Sequence, residues 1–469
     1  MPTFHIEQFG CRATQADGAA IERQLRDQGC APAGSSASAD VVVLNTCTVT
    51  AAADSQARDA IRKIHAASPQ TRIIVTGCYA QRAPEEIAAL PGVTYVVGNS
   101  HKAQIPNLLL SISPAKERIS TDEPLINLSP ALAFGTSSAP APILLGDIFA
   151  LSEVLVAPIL GGEGNHTRPT LKIQDGCNSR CSFCVIPFVR GKSRSLPPDT
   201  VVAEIQRLAR SGYREIVLSG INLGTYGRDL SPRFEFLDLL RRILDETPVE
   251  RLRISSIEPL DVTQDLIDLF ASSDRIAQHF HMPLQSASDR ILAAMHRWYR
   301  AEHYSRRVEL IQQQLPHAAI GADVIAGFPG ETEVDHAATL RFIEERPFTY
   351  LHVFSYSPRP GTKAANLPAQ LPGHVIKRRA RELRALAEEK SAAFRQTQIG
   401  RSLRILTLHA SDACAENGVT PALSTNYLQV HVPGDLPPNQ FVEATIAASG
   451  PKELLARARD LEPLAAELI

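Results

Sequence analysis

Cysteine is scarce in this chain, eight in 469 residues, and too unevenly placed for a disulfide scaffold. Neither sign of charge is in excess: 48 Lys and Arg stand against 50 Asp and Glu, a net of -2. No global basic field announces nucleic acid, so an RNA partner would have to be met by local patches. Long apolar runs are missing as well. The most apolar stretch, around Ala141 to Gly161, is interrupted by Pro142, Gly146, Asp147, Glu153 and Pro158 and is a poor bilayer span. The opening residues, Met1-Pro2-Thr3-Phe4-His5-Ile6-Glu7-Gln8, lack the basic segment and apolar core of a signal peptide. These absences predict a cytoplasmic protein with no membrane partner, long enough for about two to four domains.

What is there is concentrated. Asp175-Gly176-Cys177-Asn178-Ser179-Arg180-Cys181-Ser182-Phe183-Cys184 puts three cysteines at offsets of four and three on one loop, after an apolar run that includes Leu171 and Ile173. A cubane iron–sulfur cluster normally takes four thiolates. Three on one loop hold three irons and leave the fourth open to a ligand. A structural zinc site wants a fourth Cys or His close by, and Val185-Ile186-Pro187-Phe188 supplies none. Three unrelated loop cysteines or a zinc knuckle are the bland alternatives. The C-x3-C-x2-C pattern, with the aromatic Phe183 just before its last cysteine, resembles the signature of the radical S-adenosylmethionine (SAM) enzymes. That resemblance implies a [4Fe–4S] cluster on Cys177, Cys181 and Cys184, the catalytic and metal-binding residues. Its open iron would chelate SAM, and its electron would cleave SAM to a 5′-deoxyadenosyl radical.

The N-terminal third alternates strand and helix signals. Strands are expected at Phe4–Phe9, Val41–Leu44, Arg72–Gly77 and Val93–Val97, with helices at about Asp17–Gln28, Ala51–Ala67 and from Pro84. This predicts a small α/β domain, residues 1–104, with a parallel sheet. Cys11, Cys47 and Cys78 each follow the C-terminal end of an expected strand, the edge where open parallel sheets bind ligands. The alternative is three buried small hydrophobes. Cys30 and Cys414 stand in loop-like surroundings and read as non-functional.

Residues 105–168, rich in Pro, Ser, Ala and Gly, read as a linker with a helix near Leu144 to Val156. From there to residue 398 six strand–helix units predict a partial (β/α)6 barrel, which resembles the radical SAM core. Its strands are expected at Thr170–Gln174, Glu215–Ser219, Arg251–Ile257, His279–Leu284, Ile320–Ala326 and Leu351–Tyr356. Barrel chemistry sits at the C-terminal ends of strands. The resemblance therefore implies cofactor contacts from Phe183, Gly220, Ser256, Glu258, Gln285 and Ile325, with Val324 and Ile325 as a wall against adenine. Glu331 reads as a helix-start residue. Arg180, Arg190, Lys192 and Arg194, beside the cysteine loop, are either phosphate contacts or a solvated basic loop.

A basic helix at about His374–Gln398 carries seven basic against three acidic side chains. After it, short alternating strands at Leu403–Leu408, Leu428–Val432 and Phe441–Ile446 predict a small antiparallel barrel over 399–469. It resembles the TRAM domain, which binds tRNA. Its five basic and eight acidic residues argue mildly against a strong RNA grip.

Gly10-Cys11, Asn45-Thr46-Cys47-Thr48-Val49-Thr50 and Gly77-Cys78-Tyr79-Ala80-Gln81 resemble the N-terminal domain of the radical SAM methylthiotransferases. Nearly the whole chain shares the resemblance. It implies a second [4Fe–4S] cluster on Cys11, Cys47 and Cys78 that carries sulfur, and SAM as both methyl donor and radical source. It implies as substrate a tRNA anticodon stem-loop. Together with Leu351-His352-Val353-Phe354-Ser355-Tyr356-Ser357, these motifs look most like the branch that inserts a methylthio group at C2 of N6-threonylcarbamoyladenosine, tRNA position 37. An electron donor such as flavodoxin or ferredoxin and a sulfur source would be further partners. The N6-isopentenyladenosine branch and the ribosomal-protein aspartate branch are the alternatives within the family. A non-catalytic iron–sulfur carrier is the alternative from another class.

Overall fold

The computed structural model describes residues 2–112, 140–155, 157–159, 167–457 and 462–463. The chain divides into two units, Met1–Ile148 and Phe149–Ile469.

The first unit runs β1 (Thr3–Gln8), α1 (Arg12–Asp27), β2 (Ala31–Pro32), β3 (Val41–Thr46), α2 (Ala51–Ala67), β4 (Arg72–Gly77), α3 (Cys78–Arg82), α4 (Pro84–Ala88), β5 (Val93–Val97), α5 (Ile105–Ile112) and β6 (Ile143–Leu144). Its strands form a parallel sheet in the order β2-β1-β3-β4-β5-β6. Successive side chains point to opposite faces of a strand, so an uninterrupted apolar run needs a core on each face. Val42, Leu44, Ile73 and Val75 pack with α2, whereas Val41, Val43 and Ile74 pack with α1 and α5. Two pieces of the expected linker belong here. Ile105, Leu108 and Leu109 are buried on α5, and Ile143–Leu144 pairs with β5. The apolar stripe of α5 covers barely two turns, too short to register as a sustained period. Residues 113–139, 156 and 160–166 of that stretch lie outside the described residues. Where a helix is expected near Leu144, the described chain has β6 and a single 3-10 turn at Ile148–Ala150, Pro and Gly having broken the helix.

The second unit begins β7 (Pro158–Ile159), β8 (Thr170–Lys172), β9 (Gln174–Asp175), α6 (Ile186–Arg190), β10 (Arg194–Ser195), α7 (Pro198–Arg210), β11 (Glu215–Ser219), α8 (Phe236–Glu246), β12 (Arg251–Ile254) and α9 (Gln264–Ser272). It continues β13 (His279–His281), α10 (Asp289–Ala294), α11 (Ala301–Gln314), β14 (Ala319–Ala326), α12 (Glu333–Glu344), β15 (Tyr350–Ser355) and α13 (Gly373–Gln396). Strands β8, β11 and β12 are parallel, as are β13, β14 and β15. The two sets are joined where Ile257 N–H donates to His281 O at 3.0 Å. Six parallel strands thus form the partial barrel.

Alternation along these strands sorts the side chains. Leu171, Ile216, Leu218, Leu252, Ile254, Phe280, Ala322 and Val324 point outward into the helix layer. The intervening positions face the barrel lumen, and most are polar: Thr170, Lys172, Glu215, Arg251, Arg253, His279, His281 and Asp323. Helix α10 stops at Ala294. His296 takes φ +58°, a left-handed residue that ends the helix and starts a turn carrying Arg297.

The C-terminal barrel comprises β16 (Ser402–Thr407), a short α14 (Asp412–Glu416), β17 (Val419–Ser424), β18 (Gln429–Pro433), β19 (Phe441–Ser449), β20 (Leu454–Ala456) and β21 (Glu462–Pro463). Pairing of β16 with both β17 and β19 closes five strands on themselves. This barrel is fixed to the N-terminal end of the α/β barrel. Glu215 opens β11 and accepts from Arg251 at 2.5 Å and Arg253 at 2.8 Å, while those guanidiniums donate to Leu423 O and Ser424 O, each at 3.0 Å. All three side chains are buried, so each charge depends on the others.

Candidate active site

The three-cysteine loop leaves the lumen at β9 and is shaped by polar anchors. Gly176 has φ +69°, and a Cβ there would meet Lys192 O at 2.0 Å, so only glycine fits this turn. Gln174 holds both flanks: its Nε2 donates to Gly176 O at 2.8 Å and Ser193 Oγ at 2.9 Å, and its Oε1 accepts from Asn222 N. Ser182 donates through N to Met295 O and through Oγ to Ala294 O, which ties the loop to the end of α10. Cys177, Cys181 and Cys184 are partly buried and close enough to act on one another electrostatically. Burial pushes the Cys184 thiol up to about 12, and the neighbouring Cys181 and Cys177 add to the effect. Burial also raises Cys181, opposed by Arg297, which donates to its Sγ at 3.3 Å. Clustered thiols that resist ionising alone are a donor set that a metal cation satisfies by taking the place of the protons. The arrangement fits an iron–sulfur cluster.

Around the loop, the residues expected to meet SAM stand at strand ends. Gly220 follows β11, where a Cβ would crowd Leu223 at 2.8 Å and Gln174 at 3.0 Å. Ser256 follows β12 and is half-buried, as is Glu258. The Glu258 carboxylate is engaged by Arg297, and burial raises its pKa against that cation. Gln285 follows β13 with φ +61°, and its Oε1 is buried without a partner among the described residues. Ile325 near the end of β14 packs in one cluster with Phe183 of the loop. Asn222 Oδ1 and Ser255 Oγ are also buried and unpaired among the described residues. Three unpaired polar atoms at the ends of consecutive strands mark a place built for a polar ligand. Asn222 and Ser255, unlike the others, stand out only through these unsatisfied polar atoms.

Part of the basic loop is structural. Arg190 is 2% exposed and donates to Asp175 at 2.9 Å, while the buried Arg194 donates to Arg190 O and Lys192 O. Both are consumed in holding the loop, whereas Arg180 and Lys192 are exposed. Asn178, Ser179 and Arg180 line an open cleft with Ser193, Thr225, Arg228, Asp229 and Trp298. Trp298 is 81% exposed there. Glu331 is not a simple helix-start residue: it accepts from Arg379 at 2.7 Å and from Gly327 N at 2.9 Å, and Thr332 caps α12. On α13, Arg379 and Arg395 are buried in structural bonds, whereas Lys377, Arg378, Arg381 and Arg384 are exposed, Arg378 being paired with Glu333 and Glu382.

In the first unit Cys11, Cys47 and Cys78 follow β1, β3 and β4, three adjacent strands whose ends are in register, Gln8 beside Asn45 and Thr46 beside Gly77. Two glycines set the approach. Gly10 has φ +100°, and a Cβ on it would fall 2.3 Å from Cys47 Cβ; Gly77 has φ +98° and would strike Thr46 O at 2.3 Å. Cys47 and Cys78 are buried and Cys11 is exposed. Cys11 Sγ meets Thr14 Oγ1 at 3.6 Å, and Asn99 donates to Cys78 Sγ at 3.7 Å. Cys30, by contrast, is buried in the core beneath α1, and Cys414 sits on α14.

A parallel partial barrel with a three-thiol loop after its first strand defines a radical SAM protein. In agreement, residues 171–343 match the Radical SAM superfamily, and residues 3–98 match a family described as Uncharacterized protein family UPF0004. The chain is 36% identical over 413 residues to the threonylcarbamoyladenosine tRNA methylthiotransferase MtaB of Aquifex aeolicus, covering 88% of this chain and 94% of that one. With the Bacillus subtilis protein of the same name it shares 36% over 433 residues, 92% of this chain and 90% of the other. It is also 36% identical over 386 residues to a tRNA-2-methylthio-N(6)-dimethylallyladenosine synthase of Syntrophobacter fumaroxidans, covering 81% and 79%. Among solved structures, the radical SAM methyltransferase TsrM of Kitasatospora setae superposes with a TM-score of 0.52 at 15% identity, covering 78% of this chain and 77% of that one, a likeness of fold. The chain belongs to the radical SAM methylthiotransferase family and is MtaB-like within it. Membership implies an iron–sulfur cluster and SAM as cofactors. Among the described residues no helix is long and apolar enough to cross a membrane.

Proposed function

We propose that this protein is a tRNA methylthiotransferase that replaces the C2 hydrogen of N6-threonylcarbamoyladenosine, at position 37 beside the anticodon, with a methylthio group. One observation carries the reading. Two three-thiol sets stand at the ends of parallel strands, in a chain aligned over 88% and 92% of its length with relatives named for that activity.

Cys177, Cys181 and Cys184 would hold one [4Fe–4S] cluster, and Cys11, Cys47 and Cys78 a second. When bound, these clusters and SAM supply the radical, the methyl group and the sulfur. The chain's own work is to bind, orient and keep out water. Phe183 and Ile325 offer an apolar wall for adenine. Gly220 allows close backbone approach, and Ser256, Gln285, Asn222 and Ser255 present polar atoms to the ribose and amino-acid parts of SAM. Arg297 holds both Cys181 and Glu258 in place. Arg180, Arg228 and Trp298 beside the loop, with Lys377 and Arg381 on α13, are the exposed groups suited to phosphates and bases of an anticodon stem-loop. An electron donor such as flavodoxin or ferredoxin and a sulfur source complete the cycle, in the cytoplasm.

A second reading, methylthiolation of N6-dimethylallyladenosine, is favoured by the 36% identity to the Syntrophobacter protein. The test is turnover by the reconstituted, reduced protein with SAM and stem-loops carrying either modified adenosine. A methylthio product on the threonylcarbamoyl RNA alone supports the proposal. Product on the dimethylallyl RNA alone moves the protein to the sister branch. Release of 5′-deoxyadenosine with no product on either RNA would overturn the tRNA reading.

A further inference from the structure

One hydrogen-bonded chain crosses the last three strands of the α/β barrel on their lumen side. His279 Nε2 lies 2.7 Å from Tyr350 Oη, which lies 2.8 Å from His281 Nδ1. His281 Nε2 is 3.0 Å from Asp323 Oδ1, and His352 Nδ1 is 3.3 Å from the same oxygen. An ionised carboxylate only accepts, so both ring nitrogens that face Asp323 carry protons. That choice propagates backwards. In a neutral His281 ring Nδ1 then accepts from the Tyr350 hydroxyl, and the hydroxyl oxygen accepts from His279 Nε2. The carboxylate that anchors the chain is itself held well below its usual range: burial opposes its charge, but the hydrogen bonds from His281 and His352 outweigh it.

The two ends of this chain differ. At its inner end His279 is stacked on Tyr427 of the C-terminal barrel, ring centroids 4.4 Å apart, and is sealed. At its outer end His352 is 56% exposed on β15, the edge strand of its sheet. Its Nε2 has no partner among the described residues and, with Nδ1 committed to Asp323, is offered to the open flank. In the neutral ring Nε2 accepts from a hydroxyl or amide; in the charged ring it donates to a carboxylate.

The position suits a substrate contact. Asp323 pairs with His352 and Ile325 with Phe354 in the β14–β15 ladder, so the polar pair lies one rung deeper than the apolar pair on the same face. Two residues of strand make that step about 7 Å. Ile325 packs with Phe183 of the cysteine loop, and Phe354 is 44% exposed beside it. A planar base against the exposed Phe354, beside the wall that Ile325 offers to the adenine of SAM, would bring a polar arm on its edge within reach of His352.

We propose that His352, positioned by Asp323, reads the N6 substituent of the target adenosine, taking the hydroxyl of a threonylcarbamoyl arm when its ring is neutral or the carboxylate when its ring is charged. The inference rests on the methylthiotransferase reading above. A dimethylallyl group has no atom to pair with Nε2 and would bury it unsatisfied, and it is by such unpaired polar groups that a site rejects a near-match.

The test measures equilibrium binding by the full reconstituted protein, with SAM but without reductant, so that nothing turns over. The two probes are labelled anticodon stem-loops bearing threonylcarbamoyladenosine or unmodified adenosine. Native protein should prefer the modified RNA by about tenfold or more. His352→Ala should erase that preference while still binding the unmodified RNA, and His352→Gln, which keeps a polar tip, should restore part of it. A preference that survives in His352→Ala overturns the proposal. So does an equal loss of both RNAs in both variants, which would make His352 a residue of the fold. Native protein that binds the two RNAs equally also overturns it. In that case the turnover assay shows whether the enzyme reading falls too: methylthio product on the modified RNA sinks only the role of His352, and absence of product sinks both.

Discussion

Arg297 donates to the thiol of Cys181 at 3.3 Å and, through its other terminal nitrogen, holds the carboxylate of Glu258. It reaches both because His296 ends helix α10 in a left-handed turn and because Tyr299 Oη, hydrogen-bonded to Pro283 O at 2.6 Å, fixes the segment that follows. Removing this guanidinium leaves Glu258 confined without its cation and Cys181 without its donor. Arg297→Ala is therefore expected to lower SAM affinity about tenfold or more, with Arg297→Lys intermediate because it cannot span both partners at once. Titration of SAM into the reconstituted variants, with iron content measured in parallel, checks this. Unchanged affinity in Arg297→Ala would remove Arg297 from the site.

The two thiol sets are expected to be separable. Replacing Cys177, Cys181 and Cys184 by Ala should abolish 5′-deoxyadenosine formation. Replacing Cys11, Cys47 and Cys78 should spare SAM cleavage and abolish only the methylthio product. Gly10→Ala tests the geometry without touching a thiol. Its Cβ would collide with Cys47 at 2.3 Å in a backbone region that side chains avoid, so the variant should lose the iron assigned to the first unit. Iron per chain and product analysis distinguish these outcomes.

Trp298 is the chain's single tryptophan, and it stands 81% exposed in the cleft with Arg180 and Arg228. A base stacked on an aromatic ring contributes about 1–3 kcal/mol. Trp298→Ala should thus weaken stem-loop binding by about five- to a hundredfold. In the native protein its fluorescence should be quenched as RNA is added. Quenching that never appears, with RNA bound, would move the RNA surface elsewhere.

Glu215 between Arg251 and Arg253 should be the main lock on the C-terminal barrel. Removing one partner of a buried charge cluster costs about 3–5 kcal/mol, so Glu215→Gln should lower the melting temperature and loosen that barrel to proteolysis. The pH dependence follows from the sign. Burial opposes the Glu215 charge, but the two arginines hold its pKa well below the usual 4.5. Its contribution is complete above 4.5 and declines only as pH falls towards the depressed folded value. Thermal melts of native protein and variant between pH 7 and pH 5 should stay separated by a nearly constant gap, which narrows below pH 4.5.

The elements that could be read from the chain alone are those with a strong period or a strong stop. The helix Ala51–Ala67 and the strands Glu215–Ser219 and Val93–Val97 are found where expected, and the six cysteines announce themselves by spacing and by their places after strands. What could not be read depends on partners far away in sequence. Arg190 and Arg194 look like free cations beside a loop until Asp175 and the loop carbonyls are seen to occupy them. Glu331 looks like a helix start until Arg379, 48 residues on, is found against it. The polar lumen positions Arg251, Arg253, His279 and His281 alternate with apolar neighbours, a pattern present in the sequence, but only the folded barrel shows that all four are sealed inside it while His352 faces the open flank.

Mass spectrometry of tRNA nucleosides from the native host, with and without this gene, tests the central claim most directly. The methylthio form of threonylcarbamoyladenosine should vanish while its unthiolated precursor accumulates, with the dimethylallyl derivatives untouched. Methylthio-threonylcarbamoyladenosine persisting at its normal level in the deletion strain would contradict it.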